Sequence, residues 1–322
     1  MSENIVAIVV ARMKSARLSG KPLAEMNGYP IIQWLVERIS RSRYINAITF
    51  LLANGENEWP LHDFIDGKLI KDQCKNSVFI GYKPLNEQYN DLTHQLRQAA
   101  FYSKADIIVR VTADCPLLCP LLVDHFIETF LDERPDYLSN VMNPFTYPQG
   151  QTVEVFSREC IEDADFCAPQ YSVRDRAFGT GYIYSIPGCW RYRIKHMIAP
   201  PPLFYPQIRD TVDTLDDLKF CQAIVDELEL TPYRKHGSAE EIVALCRRKP
   251  ELLQINANQE QSVLVTQDII VSGGVPLTDD GYTRAPTWWN EHPELFCSAS
   301  EVQETESGRT PWEKKGTPFT TA

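Results

Sequence analysis

The stretch Ile5-Val6-Ala7-Ile8-Val9-Val10-Ala11-Arg12-Met13-Lys14-Ser15-Ala16-Arg17-Leu18-Ser19-Gly20-Lys21-Pro22-Leu23 decides how this chain is read. It begins with an unbroken apolar run. Such a run suits a strand covered on both faces, as in a parallel sheet. The run gives way to a loop holding four cations, Arg12, Lys14, Arg17 and Lys21, spaced by the small residues Ala11, Ser15, Ala16, Ser19 and Gly20. In open α/β sheets, ligands bind beyond the carboxyl ends of the strands. Cations there neutralise an anion, and small residues let main-chain N–H groups approach it. The loop therefore reads as a polyphosphate site; the bland alternative is a surface loop whose cations keep the protein soluble. It is not a Walker loop, because Pro22 follows Lys21 and the glycine spacing is absent, nor is it G-x-G-x-x-G.

Charge sharpens this reading. Asp and Glu outnumber Lys and Arg by 43 to 32, giving a formal net charge of −11. A protein whose main partner is a nucleic acid is usually basic, so that class is set aside. Local positive charge in an acidic chain points to a small anion. Residues 2–4 are Ser-Glu-Asn, without the basic start and apolar core of a signal peptide, and the apolar runs are strand-sized. The expectation is a cytoplasmic protein with no membrane segment. The nine cysteines are odd in number and irregularly spaced; Cys115 and Cys119 are each followed by proline, so reduced thiols are expected rather than zinc or disulfides.

Working outward, Asn27-Gly28-Tyr29-Pro30 signals a turn, and 31–39 carries apolar residues at helical spacing. A second buried strand is expected over 47–53, a short helix within 56–74, a strand over 77–81, and helices over 90–102 and 123–131. The stretch Asp106 to Thr112 is a strand that runs into Ala113-Asp114-Cys115-Pro116. Asp114 at its carboxyl end faces the crevice of the cationic loop, unless it merely caps the next helix or turn. Residues 136–140 read as a short strand, and Tyr182 to Ile186 alternates aromatic residues before Pro187-Gly188. Pro200-Pro201-Pro202 suggests an extended connection. A strand ending at Asp213 is expected next. Thr214 then caps a helix with Asp217 at the capping-box position. Further helices are expected over about 215–230 and 238–248.

Three blocks carry a resemblance. Ala11-Arg12-Met13 through Gly20-Lys21-Pro22-Leu23, Arg110-Val111-Thr112-Ala113-Asp114-Cys115-Pro116-Leu117, and Arg209-Asp210-Thr211-Val212-Asp213-Thr214 resemble the sugar-acid cytidylyltransferases. The spore-coat polysaccharide (SpsF-like) branch looks nearest, with similarity also to the 3-deoxy-manno-octulosonate and acylneuraminate enzymes. Asp136-Tyr137-Leu138-Ser139-Asn140 and Thr146-Tyr147-Pro148-Gln149-Gly150 through Val153-Glu154-Val155-Phe156 extend the match. It covers about residues 4–257, taken as the nucleotidyltransferase domain (1–257). Residues 258–322 form an extension, expected to be partly disordered, with no reading of its own.

The resemblance implies an α/β, Rossmann-like GT-A-type nucleotidyltransferase fold with a mostly parallel central sheet and a small dimerisation and acceptor lobe. It implies Mg²⁺-dependent transfer of CMP from CTP to an acidic acceptor, a sugar acid or phosphorylated metabolite, with release of pyrophosphate, as a step of surface polysaccharide biosynthesis. By resemblance Lys21 and Arg12 are catalytic. Ala11, Arg12, Ser15, Arg17, Lys21, Arg110 and Thr112 meet the nucleotide, and Asp114 and Asp213 hold the metal. Tyr147, Gln149, Glu154, Arg174 and Arg176 meet the acceptor, two arginines suiting an acidic group. Core packing for Tyr147, and a solvated loop for Arg174 and Arg176, are the bland alternatives. Thr152 and Arg176 depart from the family, which more often has Asp and His there, and Lys14, Ala16 and Ser19 replace its usual Gly, Thr and Pro. The family also implies a homodimer. Rival readings are transfer from another NTP, a GT-A glycosyltransferase, which would usually show a D-x-D pair absent at Asp114-Cys115-Pro116, and a non-catalytic nucleotide-binding scaffold.

Overall fold

The computed structural model describes residues 3–53, 55–69, 78–81, 91–141, 145–168, 173–185 and 188–259. The expected extension over 258–322 lies almost wholly outside them, as do Cys74 and Cys297. In chain order the strands are β1 (Ile5–Ala11), β2 (Glu25–Met26), β3 (Tyr29–Pro30), β4 (Ala47–Leu52), β5 (Val78–Gly81), β6 (Ile107–Thr112), β7 (Tyr137–Ser139), β8 (Glu154–Ser157) and β9 (Ile194–His196). The helices used below are α1 (Ile31–Ile39), α2 (Trp59–Phe64), α3 (Leu92–Tyr102), α4 (Pro120–Glu133), α5 (Arg158–Cys167), α6 (Val173–Ala177), α7 (Gly181–Tyr184), α8 (Gly188–Arg191), α9 (Leu215–Glu227) and α10 (Ala239–Arg248).

Seven strands form one sheet in the order β5-β4-β1-β6-β8-β7-β9, and β2 pairs with β3 in a separate hairpin. All neighbours in the large sheet are parallel except those of β8, which runs against both β6 and β7. The mostly parallel α/β fold is therefore as expected. β1 sits near the middle, between β4 and β6, and its alternate residues feed two cores. Ala7, Val9 and Ala11 join the core with α1 and α4, whereas Val6 and Ile8 join the core with α3 and α5. Burial on both faces is the reason the run has no polar alternation. A third core gathers Trp34, Phe220, Ile224, Ile242 and Cys246 from α1, α9 and α10.

Arg38 of α1 is fully buried. Its Nε donates to Leu118 O at 2.9 Å and its Nη2 to Gly237 O at 3.0 Å, with Nη1 on His236 O. Guanidinium donors thus satisfy loop carbonyls that the core would otherwise leave unpaired. Thr214 and Ser238 open α9 and α10 with complete capping boxes, through Asp217 and Glu241. The seven described cysteines are all free and buried.

Two local expectations, at Asp213 and at Pro200-Pro201-Pro202, need correction, and two segments left open take a definite form. No strand ends at Asp213: the segment pairs with residue 149 in a single bridge, Gln149 to Arg209, and a further main-chain bond from Val212 N–H to Asp114 O, together with side chains, holds the rest. Pro200-Pro201-Pro202 does not run on as an extended connection. It opens a turn in which Leu203 N–H donates to Pro200 O at 2.8 Å, the fixed proline φ suiting a turn position. The aromatic alternation around Tyr182 forms the helical turn α7, all four residues buried. Asp114 caps no helix, since α4 begins six residues later behind Cys119.

Candidate active site

β1 and β6 are adjacent and parallel, so the loops leaving their carboxyl ends emerge side by side. The first is the cationic loop. Met13 O accepts from Gly20 N–H at 2.8 Å, closing residues 14–19 into a bulge. Gly20 has φ +74°, a left-handed conformation that favours glycine, and it delivers Lys21 as the first residue of a 3₁₀ turn, Lys21–Leu23. The second is the Ala113-Asp114-Cys115 turn. The third segment is 208–213. It is tied to the second by Val212 N–H on Asp114 O at 2.7 Å and by the Thr211 hydroxyl on the same carbonyl at 3.2 Å.

These ties bring Lys21, Asp114 and Asp213 together. Lys21 Nζ lies 2.6 Å from Asp114 Oδ2 and 2.9 Å from Asp213 Oδ1. Arg17 Nη2 reaches the same Asp213 oxygen at 3.0 Å. Burial works to lower the Lys21 pKa, but the two carboxylates outweigh it and hold the ammonium above its ordinary value. For Asp114, burial works upward and is outweighed by Lys21 and the Thr112 hydroxyl, so the carboxyl stays below its usual range. Lysine and aspartate are thus both charged near neutral pH.

Behind Asp213 stands a second layer. Arg209, only 5% exposed, donates from Nη2 to Asp213 Oδ2 at 2.8 Å and from Nε to Asp217 Oδ1 at 2.9 Å. Asp217, wholly buried, also accepts from the main-chain N–H groups of Asp213 and Thr214 at 3.1 and 3.0 Å. Asn256, beyond α10, closes the layer with its Nδ2 on Arg209 O at 2.9 Å and Asp217 Oδ1 at 3.0 Å. One capping residue therefore holds both the start of α9 and the arginine that orients Asp213.

The other expected site residues divide. Ala11 ends β1 with its methyl in the core. Arg12 and Lys14 are exposed on the loop, without an ion-pair partner among the described residues. Ser15 Oγ accepts from Leu18 N–H at 3.4 Å within it. Thr112 lies beside Cys115 Sγ at 3.5 Å. Burial, with Asp114 adding to it, pushes that thiol up to about 12, so it stays protonated. Gln149 Oε1 accepts from Arg209 Nη1 at 3.1 Å, one contact from Asp213.

Four of the expected residues have their partners inside the fold. Arg176, expected at the acceptor, has every N–H engaged inside the fold. Its partners are Asp91 Oδ2 (2.8 Å), Asp165 O and Ala168 O (both 3.0 Å), and the Asp165 carboxylate. Arg110, expected at the nucleotide, is paired with Glu154, expected at the acceptor. Glu154 is buried and also accepts from Tyr137 Oη at 2.7 Å and Thr180 Oγ1 at 2.5 Å. Tyr147 packs edge-on to Phe126 in the core, burial pushing its phenol up to about 12. The side chain of Arg174 lies outside the described residues. Sequence reasoning missed Arg209, Asp217 and Asn256 as supports. The i, i+4 spacing of Arg209 and Asp213 was the one available signal.

Residues 6–158 match the family model described as Cytidylyltransferase. Over that stretch the chain is similar to the cytidylyltransferases. The resemblance read from its blocks therefore holds, and so does nucleotidyl transfer as the enzyme class. The spore coat polysaccharide biosynthesis protein SpsF of Bacillus subtilis (strain 168) is 28% identical over 254 residues, 77% of this chain and 96% of that protein. A 3-deoxy-manno-octulosonate cytidylyltransferase of Pelobacter propionicus is 27% identical over 234 residues, 67% of this chain and 84% of its own length. Among solved structures, a cytidylyltransferase from Leptospira borgpetersenii serovar Hardjo-bovis shares the fold. Its TM-score is 0.67 at 21% identity, over 81% of this chain and 99% of that one. Among the described residues, no helix is long and apolar enough to cross a membrane.

Proposed function

We propose that this chain transfers CMP from CTP to a small acidic acceptor, a sugar acid or a phosphorylated metabolite, and releases pyrophosphate. The observation that carries the reading is the convergence of Lys21, Asp114 and Asp213 at the carboxyl edge of the sheet, beside the exposed cations of the loop. The family match supplies the cytidylyl group, and the relatives' named substrates favour a sugar acid over other acceptors.

In this reaction an acceptor oxygen attacks the α-phosphorus, the bond from that phosphorus to the bridging oxygen breaks, and the leaving pair departs on pyrophosphate. The work left to the protein is positioning and charge neutralisation. Lys21, Arg12 and Arg17 supply cations to the triphosphate, and Ser15 and Ala11 leave room for it. The two carboxylates fit Mg²⁺. Their oxygens already converge on one cation, the Lys21 ammonium, and Mg²⁺ prefers one or two carboxylates with phosphate oxygens and water. Asp114 and Asp213 would hold it, with Arg209 fixing the second oxygen of Asp213. Bound there, the ion supplies neutralisation of charge on the phosphate oxygens. The family also leads us to expect a homodimer, which sedimentation in solution checks.

The test is pyrophosphate release with Mg²⁺ and each of the four NTPs over a panel of sugar acids and phosphorylated metabolites. Turnover with CTP, lost on chelation and in Asp114→Ala and Lys21→Ala, is the expected result. Nucleotide binding without turnover on any acceptor would favour a scaffold, and turnover with another NTP alone would overturn the cytidylyl assignment.

A further inference from the structure

Glu58 ends a 3₁₀ turn, Glu56–Glu58, that leads into α2. It is 4% exposed, and no cation pairs with it among the described residues. A buried carboxylate is costly unless hydrogen bonds compensate it. Here the compensation comes from the cationic loop. Met13 N–H donates to Glu58 Oε2 at 2.7 Å, and Lys14 N–H donates, at 3.4 Å, to Oε1. Met13 is thereby held at both its main-chain N–H and its carbonyl, since the carbonyl accepts from Gly20 N–H at 2.8 Å. Gly20 is followed directly by Lys21, whose ammonium rests on Asp114 and Asp213.

We propose that Glu58 is a positioning residue for nucleotide binding: it clamps Met13, and through the Met13–Gly20 hydrogen bond it sets the loop's base and the height of Lys21 over the two carboxylates. This rests on the reading of the loop as the triphosphate site. Nothing in the chain's own sequence singles Glu58 out, and it touches neither Lys21 nor the carboxylates directly. Its influence runs through main-chain bonds, so it acts on the placement of the loop and not on the chemistry. The carboxylate is suited to this because both oxygens can accept at once. A glutamine keeps one acceptor for Met13 N–H and sets an N–H against that of Lys14.

Two arms test it, with Glu58→Ala and Glu58→Gln compared in each. The first is amide hydrogen exchange of the protein alone, read on a peptide spanning the loop. The alanine variant is expected to exchange faster there by roughly tenfold or more, with glutamine intermediate, because a charge-assisted hydrogen bond is lost. The second arm is steady-state kinetics. The KM for CTP is expected to rise roughly tenfold to a hundredfold in the alanine variant. The KM for the acceptor stays put, and glutamine restores part of the loss. A merely structural role would not split the two KM values or respond to glutamine in this order. Exchange and KM within twofold of the wild type would overturn the proposal. So would a lower KM for CTP, because Glu58 would then be competing with phosphate for the two N–H groups. Should the wild type turn over no CTP, the functional reading fails, while the exchange arm, which uses no substrate, still decides the clamp. If the alanine variant does not fold, the glutamine variant carries both arms.

Discussion

Asp210 offers the sharpest test of how this fold manages charge. It is wholly buried, three residues before Asp213. One carboxylate oxygen, Oδ2, accepts from Gln151 Nε2 at 2.5 Å, while Oδ1 has no hydrogen-bond partner. Burial pushes the acid up to about 6, against the pull of the Gln151 bond and the Arg38 charge. In an unfolded chain an aspartic acid titrates near ~3.9. Between those two values the folded state binds more protons than the unfolded one, so this group lowers stability as pH rises. The penalty is absent well below the unfolded pKa and fully present above the folded one. There it amounts to ~3 kcal/mol, from ~1.4 kcal/mol per unit of difference.

Asp210→Asn removes the charge and keeps an acceptor for Gln151. Its new amide N–H, buried without a partner, costs roughly 1–3 kcal/mol at every pH. That constant cancels when two pH values are compared. At pH 5 about half of the ionisation penalty remains. The stability of Asp210→Asn relative to wild type should therefore improve by ~1.5 kcal/mol between pH 5 and pH 8. Chemical denaturation of both proteins at the two pH values measures it. An offset that is the same at both, within about 0.5 kcal/mol, would refute the claim that this carboxyl is protonated more readily in the fold than out of it.

The same contacts carry other consequences. Arg209→Met leaves Asp217 buried without its guanidinium, a loss of roughly 3–5 kcal/mol, and the melting temperature should fall by roughly 6–20 °C. Asn256→Ala should move it the same way by less, and a melting point unchanged in Arg209→Met would show that the layer behind Asp213 is dispensable. Gly150 has φ +129°, and a Cβ there would lie 2.5 Å from the Asp210 carbonyl carbon. Gly150→Ala should destabilise by more than ~2 kcal/mol, which thermal melting reads directly. Arg176→Ala should lower the melting temperature while leaving the KM for the acceptor unaltered, since its donors are spent within the fold. A raised acceptor KM in a variant that melts like wild type would restore the binding role that the sequence suggested.

Much of the fold was legible because buried parallel strands leave a strong mark. β1 is a continuous apolar run, β4 and β6 are broken only by Thr49 and Arg110, and the charged Arg12 and Asp114 fall just past the ends of β1 and β6. Asp217 was legible as a cap because Ser/Thr-x-x-acid is a local pattern. The Asp213 segment was misread as a strand because its apolar residues, Ile208 and Val212, are buried against helices, and burial alone does not specify pairing. The internal partners of Arg176, Arg110 and Glu154 were not legible for a related reason. A charged residue in a sequence reads as solvated or ligand-binding, and nothing local says that its counter-ion waits inside the fold. Arg176 meets Asp91 from 85 positions away. Glu58 was silent for the same reason, being one of three polar residues in a turn, with its partners 45 and 44 positions away.

That silence bears on why an acidic chain can keep a cationic site at all. Lys21 and Arg17 are not surplus charge: Asp213 takes both, and Asp114 takes the lysine a second time. The carboxylates are equally dependent, since burial works against Asp114 and the ammonium is what keeps it ionised. Neither side of the cluster is stable without the other, so its charges cannot be altered singly without cost. An incoming anion that draws Lys21 away leaves Asp114 without its cation, unless another takes its place. On the proposed reaction that exchange is what a metal–nucleotide complex brings and a free nucleotide does not. On that reading, the pairing that holds the cluster together would also favour the two ligands arriving together.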